Sequence, residues 1–135
     1  MSVKEFYNAF TMSKINKMIY KVDTPTEIKK LGLPTLDNVI EQYGQLKAEA
    51  YTQLCVVDLL KYISVGDGLT KEHIEKIGEY IVEDYSHLSL ADVGLVLKRG
   101  QKGFYGQLYN RLDVPTVINW FAEYEKERTK NIISF

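Results

Sequence analysis

Residues 36–63 read LDNVIEQYGQLKAEAYTQLCVVDLLKYI, and this stretch decides the fold class. Its apolar residues recur at spacings of three and four, the pattern of one face of an amphipathic α-helix. They are Leu36, Ile40, Tyr43, Leu46, Ala50, Leu54, Val57 and Leu60. The pattern predicts one long helix over about residues 36–63, with this stripe in the core. Gly44, inside the pattern, marks either a kink or a close helix crossing.

Shorter helices are predicted on the amino-terminal side of this stretch. Ser2 and Glu5 have the spacing of a capping box, and residues 12–22 show helical periodicity. Thr24 followed by Pro25 is typical of a helix start, and Gly32 is typical of a helix end. The first 32 residues are therefore expected to form three short helices.

Three more helices are predicted on the carboxyl-terminal side. Gly66-Asp67-Gly68 ends the long element, and Thr70 begins the next helix. Ser89 is predicted to cap another helix, which covers roughly Leu90–Arg99 and ends at Gly100. Asp113 or Val114 precedes Pro115, and the last helix follows to about Lys130. No stretch alternates as a strand does. The sequence predicts an all-α fold, a single domain over residues 1–135 that forms a compact bundle of about five to seven helices.

The composition fits such a domain. The chain has 135 residues, of which 45% are hydrophobic and 26% charged, ordinary values for one globular unit. The single cysteine, Cys55, excludes an intrachain disulfide, and its place in an apolar run predicts a buried thiol. No apolar run is long enough to span a membrane, and residues 1–10 lack the apolar core of a signal peptide. The expectation is a cytoplasmic protein without membrane contact.

The sequence offers no constellation for catalysis. His73 and His87 are fourteen residues apart on one predicted helix, about 20 Å, which is too far to share a metal ion. Gly100, Gly103 and Gly106 match neither the P-loop nor the dinucleotide pattern. We therefore predict no enzyme, no catalytic residue, no cofactor and no metal site.

Charge is unevenly distributed along the chain. Residues 36–88 carry ten acidic residues and four lysines, which gives a net charge of -6. Residues 89–111 carry four bases and one acid, which gives +3. Within this second region, residues 98–111 read KRGQKGFYGQLYNR. Such a division of charge favours a binding partner.

Candidate contact residues come mainly from this basic aromatic segment, residues 98–111. Its bases suit phosphate, its aromatic rings suit unpaired bases, and its glycines allow close backbone approach. Core packing of a short helix with Tyr105, Tyr109 and Leu108, or contact with a protein, explains the same residues. Two further candidates come from an edge of the last helix, which either packs in the core or forms a hot spot. The candidates are Lys98, Arg99, Lys102, Tyr105, Tyr109, Arg111, Trp120 and Arg128.

Part of the chain resembles a family. The runs IVEDY at 81–85, LAD at 90–92, GFYGQLYNRLD at 103–113 and the spacing of Trp120, Tyr124 and Arg128 resemble small α-helical proteins of phages and conjugative elements of gut bacteria. The resemblance covers about residues 81–128. Such modules also resemble, more loosely, phage replication accessory proteins such as helicase loaders. The resemblance implies a bacterial host and no particular chemistry.

These observations leave three functions open. The first is a non-enzymatic phage or mobile-element accessory protein that binds another protein, for example in DNA replication and helicase loading. The second is a nucleic-acid-binding protein that uses residues 98–111. The third is a structural virion component, in which the apolar tail, residues 131–135, contacts a neighbouring subunit and supports an oligomer.

Overall fold

The computed structural model describes residues 1–63, 68–108 and 111–133, and over these it is all-α, as predicted. Within the described ranges eight helices follow one another. They are α1 Val3–Ala9, α2 Met12–Met18, α3 Pro25–Lys30, α4 Leu36–Tyr43, α5 Gln45–Leu60, α6 Lys71–Tyr85, α7 Leu90–Gln101 and α8 Val114–Ile133. The sequence predicted five to seven helices. The structure has one more than the upper number because the helix predicted over residues 36–63 is divided into α4 and α5.

The predicted long helix over 36–63 is wrong, because the chain breaks at Gly44. Gly44 has φ 95° and ψ 162°, a conformation that residues with a Cβ rarely adopt. Its N–H still donates to the carbonyl of Ile40 at 2.8 Å, which closes α4, and α5 starts at the next residue. The break rotates α5 relative to α4, so the two helices do not share one continuous core stripe.

The predicted helix starts, in contrast, are confirmed. Ser2, Thr24, Thr70 and Ser89 each cap a helix through a side-chain oxygen that accepts a backbone N–H. Asp113 does the same at the start of α8, where its carboxylate accepts from Thr116 N at 2.9 Å. The predicted stop at Gly66-Asp67-Gly68 lies largely outside the described residues.

The starts of α4 and α7 are joined by backbone hydrogen bonds. Leu36 N donates to Leu88 O at 3.0 Å, and Leu90 N donates to Pro34 O at 2.9 Å, so that Thr35 and Ser89 form an isolated antiparallel bridge. Helices α4 and α7 therefore begin side by side. Helix α7 then runs through the centre of the fold and packs against α2, α3, α5 and α8.

Helix α7 is buried along nearly its whole length. Its residues from Leu90 to Leu97 are all buried, and it also places Arg99 and Gly100 in the core. The helix ends at Gln101, one residue beyond the predicted stop at Gly100. Gly100 is needed for packing, because a Cβ there would lie 2.3 Å from Cε3 of Trp120. The basic aromatic segment thus begins inside the core.

Candidate functional site

The basic aromatic segment leaves α7 through a glycine turn. Gly103 and Gly106 have φ values of 78° and 123°, and Phe104 N donates back to Arg99 O at 2.9 Å. The short helix considered for Tyr105 to Leu108 is absent from the described part, which is irregular over 103–108. Tyr109 lies outside the described residues, as do the side chains of the tail at 131–135. The turn places Phe104 and Tyr105 back against the end of α7.

Arg99 is a structural residue at the centre of this region. The residue is 5% exposed, and its Nη1 donates to Glu127 at 3.0 Å and to Tyr105 Oη at 3.4 Å. Its Nη2 donates to the carbonyl of Asp23. Burial alone would lower the pKa of Arg99, but the hydrogen bonds to Tyr105 and Glu127 outweigh it and raise that pKa above its ordinary value. The permanently charged guanidinium joins four segments of the chain.

The edge of the last helix also belongs to the core. Trp120 and Tyr124 are buried, so Trp120 presents no ring to solvent. The Tyr124 hydroxyl donates to Asp92, whose other carboxylate oxygen accepts from Ser89 N at 2.8 Å. Burial, with the Asp92 charge next, raises the pKa of Tyr124, which keeps this hydroxyl protonated as a donor. The sequence allowed this edge of α8 either to pack in the core or to form a hot spot, and Trp120 and Tyr124 pack in the core.

The other predicted contact residues are more accessible. Arg111 is exposed and its Nε lies 3.3 Å from Asp113 Oδ2. Arg128 is half-buried, with its Nη1 3.8 Å from Glu125 Oε1. The ion pairs of Arg99 and Arg111 in the described ranges are with Glu127 and Asp113, and none there joins either arginine to the acids of residues 72–84. Tyr105 is half-buried against Arg99.

Lys98 and Lys102 have a different environment. They line an open cleft of about 490 Å³ together with Lys21, Asp23, Arg99 and Phe104. In the part of the chain that the structure describes, the side chain of neither lysine makes a hydrogen bond or ion pair. We call this the basic cleft. It gathers Lys98, Arg99 and Lys102 of the predicted residues and adds Lys21 and Asp23, from a segment that the sequence did not single out.

A second surface was misassigned from the sequence. Leu46, Leu54 and Val57, which were expected in the core, are 79%, 54% and 45% exposed. The buried side of α5 consists instead of Ala48, Glu49, Tyr51, Thr52, Cys55, Val56 and Leu59. Helix α5 is therefore apolar on its inner and its outer side. We call Leu46, Ala50, Leu54 and Val57 the α5 outer face.

The α5 outer face borders a groove. Leu54 and Val57 line it from one side, and Tyr7 and Phe10 line it from the junction of α1 and α2. Its volume is about 400 Å³. The Tyr7 hydroxyl donates to Lys47 O at 2.7 Å, which fixes α1 against the first turn of α5. A signal for this surface existed in the sequence, since residues 45–60 contain only three charged residues.

Cys55 lies beneath this groove and is buried, as predicted. Burial raises the pKa of its thiol to about 12, so almost no thiolate is present near neutral pH. We therefore expect the folded protein to react with an aromatic disulfide reagent at about pH 8 at least 100-fold more slowly than the unfolded chain. Absorbance of the released thiol in buffer and in guanidinium measures both rates. Complete labelling of the folded protein at the unfolded rate would show that α5 opens readily.

The histidines and carboxylates do not form a metal site in the described ranges. No group of three or more histidine, cysteine, aspartate or glutamate side chains there is arranged to hold a metal ion. The two histidines do not share a helix as expected, since α6 ends at Tyr85. His73 Nδ1 accepts from Thr70 N at 3.1 Å, and His87 Nε2 lies 2.9 Å from Glu125 Oε2. Both histidines thus have local structural contacts.

Comparisons with family models, with curated proteins and with solved structures find no match to this chain. The resemblance of residues 81–128 to small phage and mobile-element proteins therefore stays a prediction. Among the helices that the structure describes, none is both long and apolar enough to cross a membrane.

Proposed function

We propose that the protein is a non-enzymatic binding module that docks a helix of another protein on the α5 outer face. The observation that carries this proposal is the exposure of Leu46, Leu54 and Val57 on a helix whose opposite side is also apolar. A helix that is apolar on all sides is normally covered on all sides. A contiguous apolar surface on a folded protein is typical of an interaction site.

The neighbouring helix shows the contrast. Helix α6 packs against α5 and turns Glu72, Glu75 and Glu83 to solvent, as an ordinary surface helix does. On α5 the corresponding outward positions are leucine, alanine and valine. The difference between the outer sides of α5 and α6 supports a partner for α5.

The shape of the surface suits a helix. Helix α5 has 16 residues, which corresponds to a length of about 24 Å. The groove between α5 and the α1–α2 junction runs beside it and is lined by Tyr7, Phe10, Leu54 and Val57. A partner helix with apolar residues at spacings of three and four fits such a groove.

The charges around the surface favour an acidic partner. Lys4 precedes Tyr7 by one helical turn, Lys47 follows Leu46, and Lys61 lies at the end of α5. Asp58 and Lys61 are the charged residues that line the groove, and they offset each other, since Lys61 Nζ lies 3.3 Å from Asp58 Oδ1. Lys4 and Lys47 are exposed, whereas the carboxylate of Glu5 accepts from Ser2 N in a capping box and Glu49 is buried. We therefore expect the partner helix to carry acidic residues beside its apolar face.

The resemblance supplies the setting of this proposal. A phage or mobile-element accessory protein in the cytoplasm of a bacterial host, acting in replication or helicase loading, is its most concrete form. The virion alternative needs copies of the chain to contact one another. Nucleic-acid binding by all of residues 98–111 has less support, because Arg99 is engaged in the core and Arg111 lies beside Asp113.

The test uses synthetic helical peptides as probes. Labelled amphipathic peptides of about 18 residues, with leucines at spacings of three and four, carry either glutamate or lysine on their flanks. We expect fluorescence anisotropy to show micromolar binding of the acidic peptide and at least tenfold weaker binding of the basic peptide. Replacing Leu54 and Val57 together by glutamate is expected to weaken the acidic peptide by at least tenfold, because charge replaces the apolar contact.

The matched control replaces Tyr20 and Leu31, which are exposed apolar residues outside α5, by glutamate. This variant adds the same charge and is expected to bind the acidic peptide within twofold of the wild type. Equal loss in both variants, or binding of a scrambled acidic peptide with equal affinity, contradicts the proposal. Light scattering gives a further check, since a dimer of the wild type that the Leu54 and Val57 variant dissociates would make this face a self-interface.

A further inference from the structure

The basic cleft carries an excess of positive charge that the fold does not use. Arg99 is balanced by Glu127 at 3.0 Å, so its charge belongs to the core. Three further cations line the cleft against one carboxylate, which leaves a net charge of +2: Lys21, Lys98 and Lys102 against Asp23. Concave surfaces of one sign concentrate counter-ions of the opposite sign.

The geometry of α7 explains only part of this excess. Lys98 stands in the last turn and Lys102 follows at the C-cap, where cations offset the negative end of the helix dipole. Lys21 comes from the segment after α2, 77 residues away along the chain. It is also the one residue other than glycine in the described ranges with a positive φ, 61°. Such conformations are costly and cluster where a side chain must be placed for function.

Arg99 lines the same cleft. Its Nε is buried and has no hydrogen-bond partner, although both its terminal nitrogens are engaged. Buried donors in folded proteins are nearly always paired, so this unpaired nitrogen is unusual. It has almost no accessible surface and lies behind the wall of the cleft, so contacts with a ligand in the cleft would come from the lysines.

Phe104 supplies an aromatic surface at the rim. Its side chain is 57% exposed, and it lines the cleft beside Lys102 and Gly103. The guanidinium of Arg99 packs over the ring, 4.3 Å from its centre, and the Tyr105 ring contacts it in a T-shaped arrangement with 5.0 Å between the ring centres. The exposed part of the ring remains available for stacking. Stacking on an aromatic side chain is a usual contact of an unpaired nucleobase with protein.

We infer that the basic cleft binds a nucleoside phosphate unit, with the phosphate between Lys21, Lys98 and Lys102 and the base on Phe104. The cleft volume of about 490 Å³ lies in the range of small-ligand sites. The unit is either a free nucleotide or part of a single strand. This inference concerns a surface other than α5 and stands independently of the proposed protein contact.

The experiment measures binding of two probes to the full chain. One is a fluorescein-labelled eight-residue oligothymidylate, and the other is unlabelled thymidine monophosphate used as a competitor. At low salt we expect micromolar binding of the strand, with affinity that falls as salt rises because three lysines displace counter-ions. Competition by the monophosphate at micromolar concentration identifies a nucleotide site. Binding of the strand without such competition identifies a single-strand site.

Three variants decide whether the cleft is responsible. Lys21, Lys98 and Lys102 replaced together by glutamine are expected to weaken the strand at least tenfold. The control replaces Lys71, Lys76 and Lys126, which do not line the cleft, by glutamine and so changes net charge equally. It is expected to bind within twofold of the wild type. Phe104→Leu, which keeps the charge, is expected to weaken binding about fivefold or more through lost stacking.

Several results overturn the inference. The first is that neither probe binds at low salt. The second is that the two triple variants weaken strand binding equally, which is the behaviour of general charge attraction. An unchanged affinity of Phe104→Leu removes the base from the site and with it the nucleoside part of the inference. Loss of peptide docking at α5 with strand binding intact leaves the inference standing, so the two proposals fail separately.

Discussion

Gly100→Ala is expected to lower the free energy of unfolding by about 2 kcal/mol. A Cβ at this position would lie 2.3 Å from Cε3 and 2.4 Å from Cζ3 of Trp120. The indole is 2% exposed and fully enclosed by the core, so it has little room to move away. Alanine gains about 1 kcal/mol of helix propensity over glycine, and the crowding must exceed that gain. We expect the crowding to dominate because the clash involves a rigid ring.

Denaturant titration followed by circular dichroism measures this effect, and the chain offers a matched control. Among the described atoms, a Cβ at Gly68 would meet no heavy atom within 4 Å. Gly68→Ala is therefore expected to change stability by less than about 0.5 kcal/mol. A Gly100→Ala protein as stable as the Gly68→Ala protein would show that the Trp120 ring can shift at little cost.

Gly100 also illustrates what sequence alone supports. Helix starts depend on a side chain and a backbone N–H three residues away, so they are visible in short segments such as Ser2-Val3-Lys4-Glu5. Whether Gly100 ends the helix or allows close packing depends instead on Trp120, which lies 20 residues further along the chain. Glycine required for close packing and glycine required for a turn look the same in one sequence. The turn function falls to Gly103 and Gly106 instead.

The misassigned face of α5 has a similar cause. The stripe from Leu36 to Leu60 is regular only if the helix continues through Gly44. Once the chain breaks there, each half chooses its own buried side, and α5 chooses the one with Tyr51, Cys55 and Leu59. Both sides of α5 are apolar, so periodicity could not select between them. Tertiary contacts with α4 and α6 make the selection.

The prediction of the candidate site had the same limit, because the sequence shows local composition and does not show contacts between distant residues. Composition pointed to residues 98–111, and the structure places Lys98 and Lys102 beside an open cleft. Composition could not reveal that Arg99 reaches Asp23, 76 residues earlier, or that Trp120 is enclosed. Basic and aromatic residues serve core and surface equally well. Only the fold tells which of them remain available to a ligand.

Arg99→Met is expected to lower the free energy of unfolding by about 3 kcal/mol, the largest single effect in this region. Methionine keeps apolar contact with Phe104 but makes none of the hydrogen bonds to Tyr105, Glu127 and Asp23 O. The Asp23 carbonyl then loses its charged donor, and the Glu127 carboxylate loses its partner. Arg99→Lys is expected to recover less than half of the loss, because one ammonium cannot span these three acceptors.

Arg111→Met provides the matched control, since it removes the same charge and introduces the same side chain. Arg111 is exposed, and its ion pair with Asp113 is of the surface kind that contributes little. We expect its stability to stay within about 0.5 kcal/mol of the wild type in the same denaturant titration. From the sequence the two arginines are equivalent members of one basic segment. A stability loss at Arg99 alone would assign that residue to the core, whereas equal and small losses would return it to the surface and make it a contact residue as the sequence first indicated.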